Sequence, residues 1–361
     1  MRDVLHEYDR LAARGEPVGR AVVTSVWGSA PRPEGASMLA TPSGLMAGSV
    51  SGGCVESATV QAIIEAIGAG RSRLVTFGVT DEQAWTVGLA CGGTIKVFVE
   101  PRVTPTLLEA ARSQEGRVVA TVVNGAAAGG SVEIREAGAV GGITEPPDGR
   151  AGAAAALAEL ARRLGEAAQE ALAKEASRTV EVIAGDGERL AVFLEVFPRR
   201  PKLVIFGGVH VALALVPLAK ALGYWTIVAD GRQAFASRER FPDADEIIVD
   251  WPEGVFARVP VDPATYVCVL SHDPKFDEPA LRLALRSAAR YIGAIGSKKT
   301  QAERRNRLRA QGFTDEELTR VHGPIGLDLG GRQPAETALA ILAEITQVRY
   351  GRAPSTPAGR G

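Results

Sequence analysis

Residues 202–208 read KLVIFGG, and four comparable runs follow it: YWTIVAD (224–230), DEIIVDW (245–251), TYVCVLSH (265–272) and YIGAIGS (291–297). Each is apolar throughout rather than alternating, which suits strands buried on both faces of a parallel sheet. Turns or helical segments separate them. Residues 200–350 are therefore expected to form an α/β, Rossmann-like, doubly wound parallel sheet domain. The run from Leu203 to Ala219 is uncharged for 17 residues. It is shorter than the roughly 20 residues a membrane span needs, and it contains a Gly pair, His210 and Pro217. A buried strand turning into a buried helix accounts for it, so stable membrane insertion is not expected.

Upstream, Pro198-Arg199-Arg200-Pro201 marks the change of pattern. An opening helix and strands at 21–27, 74–77 and 94–100 predict a mixed α/β module over residues 1–148. Val60, Ile63, Ile64 and Ile67 have helical spacing within 57–68. The stretch 35–55 has no charge and is rich in Gly and Ser, so it is expected to be a loop lining something rather than a core element. Strands continue from 117 to 135, with a turn at Asn124-Gly125. Past Pro146-Pro147-Asp148-Gly149, residues 149–199 read as one amphipathic Ala-rich helix (151–177) and two strands (179–183, 190–197). Residues 351–361 read as a disordered tail.

With 361 residues, two domains are the prior at about 150 residues each. Lys+Arg 41 against Asp+Glu 42 leaves a net charge of -1, so no global field recruits nucleic acid. Three cysteines make no disulfide framework and fit a reducing cytoplasm. The N-terminus lacks the apolar run of a signal peptide.

The turn after the first of the five runs is a candidate phosphate site. A helix amino end there offers unbonded N–H groups and a positive dipole end. Gly207 and Gly208 shape the turn, His210 lies in the first turn of the helix, and Asp230 ends the second strand where a carboxylate can accept from ribose hydroxyls. Val209 takes the place of the second fingerprint glycine and adds a side chain where a pyrophosphate should approach. The residues alone allow a domain without a dinucleotide, or a nucleotide-like ligand in an altered pose. His272, at the end of the fourth run, and Gly296-Ser297, before Lys298-Lys299, fall on the same carboxyl edge. The run Arg304, Arg305, Arg307, Arg309 reads as a solvated helix face.

Two further motifs frame thiols with glycine pairs. Cys54 follows Gly52-Gly53, and Cys91 precedes Gly92-Gly93. Cys54 also precedes the 57–68 helix, whose amino end would favour a thiolate. Such a thiolate can act as a nucleophile, carry a persulfide or contact a soft metal. It can also be a small residue in a tight turn. Cys268 reads as core. No C-x-x-C and no histidine spacing indicates zinc, and no acid–base constellation indicates turnover. A non-catalytic binder is the reading that follows.

GSAPRPEGASMLATPSGLMAGSVSGGCVE (28–56) and GLACGGTIKVFVE (88–100) resemble the N-terminal module of the XdhC/CoxI family of xanthine dehydrogenase accessory proteins. IFGGVH, VAD, SHD, YIGAIGSKK and GPIGLDLGGRQPAETALAILAEI resemble that family's Rossmann-like module. The resemblance implies a carrier of the molybdenum cofactor, either molybdopterin or its cytosine dinucleotide form. Such a carrier protects the cofactor, supports its sulfuration and delivers it to a molybdenum hydroxylase. By position, Gly52, Gly53, Cys54 and Glu56 fall on the family's GGC-x-E motif, and Cys91, Gly92 and Gly93 on its CGG motif. Cys54 and Cys91 become candidate contacts to the molybdenum. A molybdenum hydroxylase apoenzyme, a cysteine desulfurase and a second copy of the chain are the implied partners. The alternatives are an NAD(P)-dependent oxidoreductase and a cysteine persulfide carrier.

Overall fold

A computed structural model describes residues 1–29, 31–78, 93–146, 152–184 and 187–351. Two compact units divide the chain, Met1–Arg199 and Arg200–Gly361. Cys91 and Gly92, most of the Pro-Pro-Asp-Gly boundary, and the tail beyond 351 lie outside the described residues.

The described elements of the first unit are α1 (Leu5–Ala12), β1 (Gly19–Trp27), β2 (Ser37–Ala40), β3 (Met46–Gly48), α2 (Glu56–Ala69), β4 (Arg73–Phe77), β5 (Thr94–Glu100), α3 (Pro105–Arg112), β6 (Arg117–Val122), β7 (Ser131–Arg135), β8 (Val140–Thr144), α4 (Ala153–Arg163), α5 (Gly165–Ala173), β9 (Arg178–Ile183) and β10 (Arg189–Phe197). Among the described residues they build two antiparallel sheets, β3-β2-β1-β5-β4 and β8-β7-β6-β10-β9. Ala62, Ile63 and Ala66 on one face of α2 bury against Ala21, Val23, Val97 and Val99 of the first sheet. Leu157, Leu160, Leu164 and Ala168 of the Ala-rich segment bury against Val118, Ala120, Val192 and Leu194 of the second. Strand alternation sends the other faces toward each other, where Val22 and Phe98 meet Phe193. In the same layer Arg20 is fully buried, bonding Glu100 at 3.0 Å, Glu195 at 2.6 Å and the Ser37 hydroxyl at 2.9 Å.

Three expectations change here. Residues 35–55 do contribute to the core: Met38, Leu39 and Ala40 are fully buried, because β2 lies between two neighbouring strands and its Ser37 is satisfied by Arg20. The division expected at 148/149 runs through the second sheet, where β9 and β10 join β6–β8. The single helix expected over 151–177 is two, α4 and α5, which meet at Leu164 and Gly165.

The second unit comprises β11 (Lys202–Phe206), α6 (His210–Ala221), β12 (Trp225–Asp230), β13 (Glu246–Val249), α7 (Pro252–Arg258), β14 (Thr265–Val269), α8 (Pro274–Leu285), β15 (Tyr291–Ala294), α9 (Lys298–Ala310), α10 (Asp315–Leu318), β16 (Val321–His322) and α11 (Pro334–Arg349). Its sheet is parallel throughout, in the order β13-β12-β11-β14-β15-β16. Residues of α6 and α11 pack on one face, and residues of α7, α8 and α9 on the other. This is the doubly wound arrangement, and the strand order reverses between β11 and β14, where such sheets open a crevice at their carboxyl edge.

Candidate functional site

At that reversal the chain turns through Gly207 and Gly208 into α6. Gly207 has φ +107°, and a Cβ on it would lie 2.7 Å from the Ser271 nitrogen. A Cβ on Gly208 would lie 2.0 Å from the Phe235 carbonyl oxygen. Close packing of three loops therefore demands this glycine pair. Val209 is extended, and its side chain packs against the apolar core on the α6 face. Of the helices that start along this edge after β11, β14 and β15, α8 is capped by Asp273 and α9 by Ser297, whereas α6 has no side-chain cap. At the amino end of α9, expected to suit an anion through Gly296 and Ser297, Ser297 Oγ accepts from the Thr300 amide at 3.2 Å. The seven-residue α7, which follows β13, also lacks a side-chain cap. His210 opens α6 and is exposed, as is His272 beyond β14.

Asp230 is buried, and both of its oxygens are engaged. Oδ2 accepts from the Gly208 amide at 3.0 Å and from Arg232 Nη2 at 3.0 Å, and Oδ1 from the Arg232 amide at 3.0 Å and its Nε at 2.9 Å. These bonds outweigh burial and hold its pKa below the usual carboxylate range. Arg240 donates to the Gly208 carbonyl at 2.9 Å. The turn is thus fastened through both its N–H and its C=O. The ribose acceptor expected at Asp230 is held by Arg232, whose guanidinium lies 3.7 Å over the Phe235 ring centroid.

Gly52, Gly53, Cys54 and Glu56 belong to the first unit. Gly52 and Gly53 have φ +79° and +125°, and the Cys54 thiol is free and exposed. Glu56 organises this loop. Oε1 accepts from Ser49 Oγ (2.6 Å) and from the amides of Val50, Ser51 and Gly52 (3.2, 2.9 and 3.1 Å). Oε2 accepts from Ser51 Oγ (2.6 Å) and from the amides of Gly53 and Val55 (2.8 and 3.2 Å). These bonds overcome burial and pull its pKa down to about 2. These five amides belong to the loop before α2, whose own amino end, expected to favour a Cys54 thiolate, has no side-chain cap. Gly93, the described residue of the second glycine pair, is buried, and a Cβ on it would lie 2.2 Å from the Ser29 carbonyl oxygen.

Two clusters in the second unit carry little sequence signal. Arg304, expected on a solvated face, is buried and bonds Asp277 at 3.1 Å, because α9 turns that position onto α8. Arg304 also donates to the Ile295 carbonyl at 3.1 Å and to Gln301 at 2.7 Å, and burial pushes the Asp277 carboxyl up to about 6. At the sheet edge, Glu344 accepts from the Tyr291 hydroxyl (2.5 Å) and the Gly326 amide (2.8 Å), and pairs with His322 Nδ1 at 3.1 Å. Cys268 is fully buried, and burial pushes its thiol up. Among the described residues, no group of three or more His, Cys, Asp and Glu side chains is arranged to hold a metal ion, and no helix is long and apolar enough to cross a membrane.

The chain is similar to known proteins along nearly its whole length. A Bacillus subtilis (strain 168) protein, named as a probable xanthine dehydrogenase subunit, is 28% identical over 351 residues, covering 94% of this chain and 96% of the relative. The "Molybdenum cofactor insertion chaperone PaoD" of Escherichia coli K12 is 28% identical over 334 residues, covering 92% and 84%. A crystal structure described as a xanthine dehydrogenase from Bacillus halodurans superposes with a TM-score of 0.74 at 26% identity, covering 98% of each chain. Residues 203–345 match the XdhC Rossmann domain and residues 11–78 the XdhC and CoxI family. The chain belongs to the XdhC and CoxI family.

Proposed function

We propose that this chain is a carrier that takes the molybdenum cofactor as cargo, protects it, supports its sulfuration and delivers it to a molybdenum hydroxylase of the xanthine dehydrogenase or carbon monoxide dehydrogenase type. The observation that carries this reading is the uncapped amino end of α6, entered through a glycine turn that Asp230 and Arg240 fasten. Such an end favours an anion, and the cofactor's phosphate supplies one. The names of the two relatives support the choice of cargo. In this reading Gly207, Gly208, His210 and Asp230 sit at the phosphate end, with His272, Gly296 and Ser297 along the rim. Separately, in the first unit, Gly52, Gly53, Cys54 and Glu56, with Cys91, Gly92 and Gly93 of the second motif, are our candidate contacts to molybdenum or to transferred sulfur. The exposed Cys54 thiol suits a soft metal or a sulfur handed on by a cysteine desulfurase. A persulfide on Cys54 is compatible with the carrier role. A homodimer acting in the cytoplasm is the working form we propose. NAD(P) is the alternative occupant of this crevice, in which Arg232 bonds both oxygens of Asp230.

The test is transfer. Apo-hydroxylase is incubated anaerobically with cofactor-loaded chain, with free cofactor, or with free cofactor plus the empty chain, and substrate turnover is followed. The loaded chain should activate the enzyme faster and resist dilution and air better than free cofactor. Equal activation by free cofactor, unchanged by the chain, would sink the carrier role.

A further inference from the structure

We propose that Trp251 and Arg232 form a base-stacking subsite for a nucleoside diphosphate at the carboxyl edge of the second unit's sheet. This deepens, and rests on, the reading that the crevice takes the phosphate end of the cofactor. Asp230 pairs in register with Val249, so β12 and β13 end side by side, and Trp251 leaves the sheet two residues beyond that pair. Trp251 is 51% exposed, yet its ring is braced. The ring lies 5.8 Å from buried Phe276, which itself packs edge-on against Phe206 at the end of β11. The Trp251 amide is fixed to Asp250 Oδ1 at 2.8 Å. A methyl placed on Gly231 would sit 3.7 Å from both the Trp251 and Phe276 rings, so the two aromatics frame the turn that directly follows the acid.

Next along the chain, the Arg232 guanidinium lies 3.7 Å over the Phe235 ring centroid and is pinned by Asp230 through Nε and Nη2. Among the described residues no second ring stacks on it. A π-face beside Gly231 in space and a cation beside it in sequence thus belong to the turn that follows Asp230, and every nucleobase offers a face for either. The strands that end at the platform, the acid and the turn are neighbours, β13, β12 and β11. At about 4.8 Å per strand they span roughly 10 Å, the scale of a nucleoside diphosphate. The shared chemistry is a base joined through ribose to two phosphates, either appended to a pterin or part of a nicotinamide dinucleotide.

The test is calorimetric titration of the full chain with CDP, ADP, NADPH and inorganic pyrophosphate, repeated on Trp251→Ala, Trp251→Phe and Arg232→Ala. Nucleotides should bind more tightly than pyrophosphate. Trp251→Ala should weaken them about tenfold, on the scale of one base–aromatic stack, and leave pyrophosphate unchanged. Trp251→Phe should retain most of the affinity, which excludes misfolding as the cause. Nucleotides no tighter than pyrophosphate, or indifferent to Trp251→Ala, would overturn the subsite. CDP above ADP assigns it to a pterin nucleotide. ADP or NADPH above CDP keeps the subsite and overturns its assignment to the cofactor. Pterin content of the anaerobically isolated chain, measured in parallel, separates the two ideas. Pterin without nucleotide stacking removes only this inference, and stacking without pterin removes only the carrier.

Discussion

Replacing Glu56 by Gln removes the anion at the centre of seven hydrogen bonds, five from backbone amides and two from hydroxyls. The drop of its pKa from an ordinary 4.5 to about 2 corresponds to roughly 3 kcal/mol of folded-state stabilisation, which water at the loop's outer rim reduces to about 2. The Gln amide would add a cost, since its NH2 confronts donors and leaves buried N–H groups unpaired. The expected loss at pH 7 is about 2–4 kcal/mol, or a Tm lower by roughly 5–10 °C for a unit of this size. The sign of the pH dependence is fixed. A depressed pKa stabilises fully above the unfolded value, and the contribution fades as pH falls from about 4.5 toward 2. Urea unfolding of both proteins between pH 7 and pH 3 is the assay. A Glu56→Gln variant within about 0.5 kcal/mol of the wild type at pH 7, or a difference that does not shrink toward pH 3, would refute the reasoning.

Arg20→Met should cost about 3–5 kcal/mol in urea unfolding, because it leaves Glu100 and Glu195 facing each other in the layer between two sheets. Asp277 has a pKa raised by burial from 3.8 to about 6, so its contribution is present below the unfolded value and is lost as pH rises through 6. Chemical denaturation of the second unit should therefore weaken by about 2–3 kcal/mol between pH 4 and pH 7, and Asp277→Asn should flatten that slope. Peptide mapping after brief alkylation of the native chain should find Cys54 modified and Cys268 untouched until the protein is unfolded.

The second unit was legible because its strands are buried on both faces. KLVIF and TYVCV carry no alternation to misread, and they emerge as the neighbouring strands β11 and β14. The same rule explains the failure over 35–55. Ser37 is polar yet fully buried, and what buries it is Arg20, seventeen residues away. No local pattern reports such a partner. Arg304 deceived for a related reason: four arginines in a row of six look solvated, and one of them is turned inward by α8. At the candidate site, the glycines were found but their strongest constraint was not, since the atoms that forbid a Cβ on Gly208 belong to Phe235. Glu56 did carry a signal. A carboxylate just after a run of small residues can gather their amides, and SVSGGCVE has that form. The Tyr291–Glu344–His322 cluster had none, being assembled from β15, β16 and α11.

The claim that the chain carries the molybdenum cofactor is tested most directly by its contents. Protein purified anaerobically from cells able to make the cofactor is oxidised, its fluorescent pterin assayed and its molybdenum measured per chain, alongside Cys54→Ser and Cys91→Ser. Near-stoichiometric pterin with molybdenum, diminished in a cysteine variant of unchanged fold, is the predicted result. Absence of pterin together with tight NAD(P)H binding would contradict it.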